Sequence, residues 1–345
     1  MAEASSGTSS RKAEHLRINL EEDVRSGVDP GFDAWRFVPL ALPELNLAEV
    51  DPAASFLGHS LRAPLLISCM TGGTPEAGAV NRVLARVAQS QGLALGLGSG
   101  RALLEDPGTL DSFDVRDLLP SYPLLANLGA VQLLRGVDAG ACARLVDMLH
   151  ADALVLHLNA LQEALQEGGD VDFRGLLDAI AGVCAQSKVP VVVKEVGWGI
   201  PPDDVKRLFD AGVTAVDVAG AGGTSWSAVE GLRGTRAAGR LAAAFRDWGL
   251  PTAAAVRRAR EAAPAGVLIA SGGVTHGVDV AKAIALGADL VGIAGPFLRA
   301  AARGEEAATD LAEDLVGALR LAMFCIGAPT VAALRVTSRL EPAVA

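Results

Sequence analysis

From about residue 64 onward, short apolar runs alternate with longer segments of helical periodicity. The runs are eight, and they begin near residues 64, 92, 123, 153, 190, 215, 267 and 290. Each is continuously hydrophobic, which is typical of parallel strands that are buried on both faces. Between the runs, apolar residues recur every three or four positions, as at Val80, Leu84 and Val87, and this spacing predicts helices.

Eight strand–helix units in succession predict the α/β class and a single (β/α)8 barrel. The alternative is a doubly wound open sheet, which usually carries a GxGxxG turn after its first strand, and that turn is absent here. The small, polar residues 1–10 predict a disordered tail. Residues 11–63 predict an arm that caps the barrel, residues 64–330 the barrel itself, and residues 331–345 a C-terminal tail.

Polar residues or glycines follow each of the eight apolar runs. The active sites of such barrels lie at the C-terminal ends of the strands, so these residues are the candidates for function. The last three runs end in glycine-rich turns around Gly223, Gly273 and Gly295. Backbone N–H groups in such turns hold phosphate groups, which predicts a local phosphate site. The alternative is that they are ordinary tight turns, which glycine also favours.

Composition and charge narrow the range of partners. The chain has 39 glycines but only 9 Phe, 4 Trp and 1 Tyr, and its net charge is −10. Few aromatic rings and a negative charge argue against a nucleic-acid partner. The sequence contains no run of 18 apolar residues, so no membrane span is predicted. The four cysteines form no CxxC pair and the first residues lack an apolar signal segment, so we expect a cytoplasmic protein.

Lys194 lies inside the apolar segment VVVKEV, at the end of the fifth run. A buried ammonium group is costly unless an anion or an electron-rich acceptor compensates it. In flavin-binding barrels, a lysine at this point stabilises the anionic reduced ring. Thr71, Ser99 and Asn127 would add polar contacts to the ring edge. The alternatives are an ion pair between Lys194 and Asp217, and local backbone hydrogen bonds for the three polar residues.

A second polar cluster follows the fourth run, where His157 and Asn159 point the same way and Gln162 and Glu163 come next. A single histidine in a barrel is more often a core residue, but a cluster of this kind favours a site. Glu163 is a candidate to hold Mg²⁺ through water, as happens when the metal also touches a phosphate.

Two basic residues, Arg11 and Lys12, lie just beyond the polar N-terminus. Charge runs of this kind are usually solvated. The alternative is that they fold over the mouth of the barrel and, together with Arg101, clamp a second anion.

Several motifs recur together and in one order between residues 11 and 329: RKAEHL, MTGG, GSGR, NLGA, HLNALQE, KEVGWG, AGAGGTSW, SGGV, ALGAD and MFCIGAP. In these motifs the chain resembles the flavin-dependent type 2 isopentenyl-diphosphate isomerases over nearly its whole length. The resemblance implies that isopentenyl diphosphate and dimethylallyl diphosphate are interconverted by a 1,3-allylic proton shift. It also implies FMN, Mg²⁺ and a reductant such as NADPH, and a homo-tetramer or homo-octamer.

The resemblance also implies roles for individual residues. The expected FMN contacts are Met70, Thr71, Gly72, Ser99, Asn127, Lys194, Thr224, Gly273, Val274, Thr275, Ala294 and Gly295. The expected diphosphate contacts are Arg11, Lys12, Ser99, Gly100, Arg101 and Gln162, and the expected metal ligand is Glu163. The chain departs from the family pattern in having Gly100 for a larger residue, Ala219 for a serine, and Thr275 for a basic residue.

His157, Gln162 and Lys194 are the candidate catalytic residues. No side chain here has an obvious acid strength for protonating an unactivated alkene. We therefore expect reduced FMN to serve as acid and base, with Gln162 as a possible proton relay.

Two other functions remain open at this point. One is an FMN-dependent oxidase or dehydrogenase of 2-hydroxy acids, but its carboxylate-binding arginine is missing from the segment SGGVTHG. The other is a barrel that binds a phosphorylated metabolite without catalysis. Such a protein would acquire no flavin absorbance when FMN is added.

Overall fold

The computed structural model describes residues 2–343, with side chains from Arg11 to Ala343. Its strands are β1 (Trp35–Phe37), β2 (Ala54–Phe56), β3 (His59–Leu61), β4 (Leu65–Ile67), β5 (Ala94–Gly96), β6 (Leu124–Gly129), β7 (Ala153–His157), β8 (Val191–Lys194), β9 (Ala215–Asp217), β10 (Val267–Ser271), β11 (Leu290–Ile293) and β12 (Leu340–Pro342). Strands β4 to β11 form a closed parallel barrel, in which each strand pairs with the next and β11 pairs with β4. The predicted (β/α)8 barrel is confirmed.

The helices cover the outside of this barrel and its mouth. They are α1 (Ala2–Glu21), α2 (Pro75–Gln91), α3 (Arg101–Glu105), α4 (Ala139–Leu149), α5 (Ala160–Leu165), α6 (Leu176–Gln186), α7 (Pro202–Asp210), α8 (Trp226–Arg233), α9 (Arg236–Ala243), α10 (Thr252–Ala262), α11 (Gly277–Ala285), α12 (Gly295–Arg303), α13 (Glu305–Cys325) and α14 (Val331–Arg335). In the part of the chain that the structure describes, no helix is long and apolar enough to cross a membrane.

The barrel strands are hydrophobic throughout because both of their faces are buried. In β4, Leu66 packs with the residues of the barrel interior, whereas Leu65 and Ile67 pack in the layer between the strands and the helices. All three side chains are at most 3% exposed. A strand that packs on both faces loses the alternation of polar and apolar residues that a half-exposed strand shows.

Helix α2 shows how the outer layer is specified. Thr74 precedes it, and its hydroxyl accepts a hydrogen bond from the backbone N–H of Ala77, a typical N-cap. The helix ends at Gly92, whose φ of 72° is in the left-handed region that favours glycine. Val80 and Leu84 are buried against the barrel, as their spacing predicted.

The arm predicted at residues 11–63 divides between the two ends of the barrel. The hairpin of β2 and β3 places Phe56 and Leu61 against Ala153 and Ala215, which are the first residues of their strands. The hairpin therefore closes the N-terminal end of the barrel, opposite the functional end. Only the first part of the arm reaches the mouth, so the segment is not one continuous cap.

Helix α1 includes positions 2–10, where the sequence predicted a disordered tail; Met1 lies outside the described residues. Ile18 packs with Val24 and with Val229 of α8, and this cluster fixes the second half of α1. Once part of a helix is held, each added residue gains a backbone hydrogen bond at little further cost.

The segment predicted as a C-terminal tail, residues 331–345, contains α14 and β12. Strand β12 pairs antiparallel with β1, with Phe37 opposite Leu340 and Trp35 opposite Pro342. Residues 344 and 345 lie outside the described part of the chain. This pairing joins the end of the chain to the arm, which local sequence patterns do not reveal.

Candidate functional site

A cavity of about 700 Å³ opens at the C-terminal ends of the barrel strands, beneath α1. Residues from all eight strand ends contribute to its wall. The predicted cofactor residues in this wall are Met70, Thr71, Gly72, Ser99, Asn127, Lys194, Thr224, Gly273, Val274, Thr275, Ala294 and Gly295. The predicted substrate, metal and catalytic residues in it are Arg11, Lys12, Arg101, His157, Gln162 and Glu163. The fold therefore brings these residues together around one space.

Gly100 is the exception, because it does not line the cavity. Its backbone N–H donates to the carbonyl oxygen of Asn127 at 2.7 Å, and a Cβ at this position would lie 2.5 Å from Cδ1 of Leu145. The space that a larger residue would need is thus taken by Leu145 of α4. The glycine at position 100 is therefore accommodated by Leu145, which packs behind the cavity wall.

One end of the cavity is made of glycine-rich backbone. The turns after β9 and β10 touch, since a Cβ on Gly223 would lie 2.8 Å from the nitrogen of Gly273. Gly273 has a φ of 74° and Gly272 a φ of 104°, conformations that side chains rarely adopt. At Ala294, no side chain caps the start of α12 within the described structure. The N–H groups at this end fit a phosphate group.

Lys194, at the end of β8, is 9% exposed and lies in register with His157 on one side and Asp217 on the other. Its Nζ donates to the carbonyl oxygen of Glu195 at 2.5 Å. No ion pair within 4.0 Å joins it to Asp217 in the described residues, although burial raises the pKa of Asp217 and the charge of Lys194 opposes that rise. The ammonium group remains at the cavity wall.

His157 is held by its neighbour on β6. Its Nδ1 lies 2.8 Å from Oδ1 of Asn127. Because an amide oxygen only accepts, Nδ1 carries the proton in this arrangement. Burial, together with the charges of Lys194 and Lys12, lowers the pKa of His157 to about 3. The imidazole is therefore neutral near pH 7 and suits hydrogen bonding rather than charge pairing.

The side chains around the start of α5 form one network. Glu163 accepts from Nδ2 of Asn159 at 2.9 Å and from the backbone N–H of Asp170 at 2.8 Å. Gln162 donates from Nε2 to Oε1 of Glu230 at 3.0 Å. Among the described residues, Oδ1 of Asn159 is buried without a hydrogen-bond partner. The amide oxygen of Asn159 is thus available as a metal ligand beside the carboxylate of Glu163.

These oxygen donors fit Mg²⁺, which prefers carboxylate and carbonyl oxygens and keeps several waters. Within residues 11–343, no group of three or more His, Cys, Asp or Glu side chains could form an all-protein metal cage. Glu163 is therefore suited to a metal that also binds water and the phosphates of a ligand.

The opposite end of the cavity carries positive charge. Nζ of Lys12 donates to the carbonyl oxygen of Ser99 at 2.7 Å and lies 5.1 Å from the centre of the Phe113 ring. Burial, together with the charge of Arg11, lowers the pKa of Lys12 to about 7. Burial and then the charge of Arg101 lower the pKa of Arg11. Cations that depress one another's pKa values are suited to an anionic ligand.

Sequence reasoning missed two residues of this region. Glu230 on α8 is 2% exposed and accepts from Gln162, His15 and Arg233, so it links α1 to α5. An acidic residue on a short helix indicates an exposed face, and no local pattern distinguishes it. Arg299 on α12 lines the cavity close to Gly295. The spacing of four residues, which is one helical turn, is the pattern that would have identified Arg299.

Comparison with known proteins fits this geometry. An isopentenyl-diphosphate delta-isomerase from Nostoc is 51% identical over 325 residues, covering 94% of this chain and 93% of that protein. One from Xanthobacter autotrophicus is 51% identical over 333 residues, covering 96% and 97%. The chain belongs to the isopentenyl-diphosphate delta-isomerase family.

The chain also matches a broader family of flavoproteins. The family model of the FMN-dependent dehydrogenases matches residues 154–340, which is more than half of the chain, so the chain belongs to that family as well. The solved structure of a mandelate oxidase with benzoyl-formic acid matches with a TM-score of 0.62, covering 96% of this chain and 94% of that one. At 20% identity, this likeness shows a shared fold.

Proposed function

We propose that this member of the isomerase family interconverts isopentenyl diphosphate and dimethylallyl diphosphate by a 1,3-allylic proton shift, with FMN bound at the barrel mouth. One observation carries the proposal: a single cavity has two separate regions whose lining suits anions. Glycine-rich turns form one end, which fits the phosphate of a cofactor. Arg11, Lys12 and Arg101 surround the other end, which fits a diphosphate.

FMN would lie between the two ends, in contact with Thr71, Asn127 and Lys194 along the cavity wall. When bound and reduced, a flavin would supply a proton donor and acceptor beside an alkene for which the described cavity wall offers no obvious strong acid. The ammonium group of Lys194 stabilises negative charge at the edge of the ring. The neutral His157 and the polar Asn127 hydrogen-bond one another and fix that part of the wall.

The diphosphate would be held at the other end of the cavity. Arg11, Lys12 and Arg101 neutralise its charge, and Glu163 would bind Mg²⁺ that also touches the phosphates. Gln162 would orient the substrate or relay a proton, and Glu230 holds its amide by accepting from Nε2. Helix α1 covers the mouth and keeps water from the reacting carbons.

The resemblance to the flavin-dependent isomerases supports three further proposals. NADPH reduces the flavin before turnover, the protein forms a homo-tetramer or homo-octamer, and it acts in the cytoplasm. Residues 11–63 contribute to the mouth of the site through α1 and through residues 22–25, which follow it, and residues 64–330 contribute the rest.

The test is to incubate the protein without oxygen, supplying isopentenyl diphosphate, FMN, MgCl₂ and NADPH, and to assay dimethylallyl diphosphate. We expect turnover that disappears when FMN is omitted. Omission of Mg²⁺ or NADPH tests each of those proposals separately. Full activity with 5-deaza-FMN in place of FMN would contradict the role of the reduced flavin as acid and base.

Variants and rival substrates complete the experiment. Lys194→Ala should lower kcat at least about 100-fold, the usual range for a removed electrostatic contact in an active site. Lys206→Ala is the matched control, because Lys206 is exposed on α7 and pairs with Asp210.

Reduction of the bound flavin by lactate or mandelate, without isomerisation, would favour an oxidase. An absence of any flavin binding would favour the non-catalytic barrel.

A further inference from the structure

The glycine-rich end of the cavity carries little positive charge for a site that fits a phosphate. Among the described residues of the turns after β9, β10 and β11 and of α12 that line the cavity, Arg299 is the sole cation. Arg25 approaches Thr224 through a backbone bridge, but its guanidinium is paired with Asp23, from Nε at 2.9 Å and from Nη2 at 3.1 Å. Arg299 is therefore the cation available at this end.

The guanidinium group of Arg299 lies over the first residue of α12. An ideal Cβ on Gly295 would be 3.2 Å from Nη1 of Arg299 and 3.6 Å from Nη2. A glycine at this position, one turn before the arginine, leaves room for that placement. In the described part of the chain, Arg299 takes part in no hydrogen bond or ion pair, so its donors are free for a ligand.

The position of this charge is unfavourable without a ligand. The start of a helix carries partial positive charge, so a cation there is repelled unless an anion lies close by. Thr275 does not supply a donor to such an anion, because its N–H and its hydroxyl both donate to Oδ2 of Asp279, at 3.2 and 3.3 Å. The buried carboxylate of Asp279 adds negative charge behind the turn and increases the need for a cation.

We propose that Arg299 donates hydrogen bonds to the phosphate group of FMN and thereby makes the site selective for FMN over riboflavin. The proposal rests on the proposed binding of FMN. A planar guanidinium can give two parallel hydrogen bonds to one phosphate, and the N–H groups at the start of α12 can donate to the same group. Arg299 would thus donate the hydrogen bonds to the phosphate that Thr275 cannot donate.

The test is to measure the dissociation constants of FMN and riboflavin by equilibrium titration of flavin fluorescence. The proteins are the wild type, Arg299→Ala, Arg299→Gln and Arg299→Lys. The control is Arg303→Ala, which removes an exposed arginine from the same helix outside the cavity wall. Thermal unfolding of each ligand-free variant checks that the fold is retained.

We expect Arg299→Ala and Arg299→Gln to weaken FMN binding about 10- to 100-fold, the range for a charge-assisted hydrogen bond, with riboflavin binding unchanged. Arg299→Lys should restore part of the FMN affinity, and Arg303→Ala should leave both constants unchanged. Unchanged FMN affinity in Arg299→Ala, or an equal loss for FMN and riboflavin, would overturn the proposal. If the wild type binds neither flavin, the proposed function itself fails.

Discussion

The two ends of the cavity are built in different ways. The end proposed for the FMN phosphate is formed by backbone in turns that directly follow β9, β10 and β11, so the barrel strands hold most of it. The end proposed for the diphosphate is formed by charged and polar side chains of α1, α3 and α5, some of which hydrogen-bond to partners far away in sequence: Lys12 to Ser99, and Gln162 to Glu230. The first end is built on the barrel turns and is further held by backbone hydrogen bonds with Val24 and Ser26, whereas the second depends on the docking of α1.

This difference suggests a division of tasks. A cofactor that stays bound needs a rigid cradle, and backbone held by neighbouring strands changes little between states. A substrate that enters and leaves needs a mouth that opens, and α1 is attached by a limited set of apolar contacts: Ile18 with Val229, and the partly buried Leu16 and Leu20 against the main core. Its remaining contacts are polar, such as His15 with Glu230 and Lys12 with Ser99. Segments with few buried apolar contacts open more readily than the core.

The largest effect is expected at the rigid end, from Gly272→Ala. The φ of Gly272 is 104°, and a Cβ there would lie 2.0 Å from the carbonyl oxygen of Gly220. We expect the free energy of unfolding to fall by more than about 3 kcal/mol and FMN binding to be lost.

The control for this prediction is Gly58→Ala. Gly58 also has a positive φ, 81°, but nothing lies within 4 Å of a Cβ at that position. We expect a cost of about 1 kcal/mol and normal FMN binding. Urea unfolding and flavin titration measure both variants, and equal losses in the two would contradict a crowded, rigid cradle.

The next effect concerns the substrate end. Lys12→Ala removes a cation and leaves the backbone of α1 intact, so the KM for isopentenyl diphosphate should rise about 10- to 100-fold. The affinity for FMN should stay as in the wild type. Arg17→Ala on the exposed face of the same helix is the control and should change neither quantity. A weakened FMN affinity in Lys12→Ala would show that the two ends are not independent.

A smaller effect is expected from Glu230→Gln, which loosens the attachment of α1. Burial would raise the pKa of Glu230, yet hydrogen bonds from His15 and Gln162 and the charge of Arg233 hold its pKa below the usual range. An uncharged amide cannot satisfy all these donors. We expect α1 to open about tenfold more often, which corresponds to about 1.4 kcal/mol.

Hydrogen exchange of the backbone amides in residues 11–21 measures this opening. Glu14→Gln is the control, because Glu14 contacts the same Arg233 from an exposed position and should change exchange little. Unchanged exchange in Glu230→Gln would mean that the apolar contacts alone hold α1.

The smallest effect is a pH dependence at Lys12. Since its pKa is lowered to about 7, the ammonium form is present below that pH and is lost as the pH rises through it. Affinity for inorganic pyrophosphate should therefore weaken a few-fold between about pH 6 and about pH 9, and binding near pH 7 should take up protons. Calorimetry in buffers of different ionisation enthalpy measures this uptake.

The control variant keeps a positive charge at position 12 but removes a group that titrates near pH 7. Lys12→Arg stays protonated throughout this range, so its proton uptake should be limited to that of the pyrophosphate itself. Equal uptake by the wild type and Lys12→Arg would assign the titration to another group.

The sequence allowed the barrel and most of its site to be predicted, for a local reason. A strand buried on both faces is hydrophobic along its whole length, and the glycines of the phosphate end follow those strands directly. Motifs such as HLNALQE placed Gln162 and Glu163 at a strand end, where the structure has them in the cavity wall. The role of each residue remains a prediction for the experiments above.

The features that local patterns did not reveal depend on residues distant in sequence. Gly100 was expected to contact the substrate, but Leu145 of another helix occupies the adjoining space. Positions 2–10 were expected to be disordered, yet they continue a helix that Val229 helps to fix. The arm was expected to cap the mouth, yet its hairpin closes the other end of the barrel.

By itself, the sequence determined the eight strands, the glycine turns and the positions of the chemically important side chains, because each follows from residues that are neighbours in the chain. Only the tertiary structure decided that Glu230 holds Gln162 and His15 together, and that Arg299 lies over Gly295 with its donors free. Burial and partner choice depend on which helices meet. No local pattern records that.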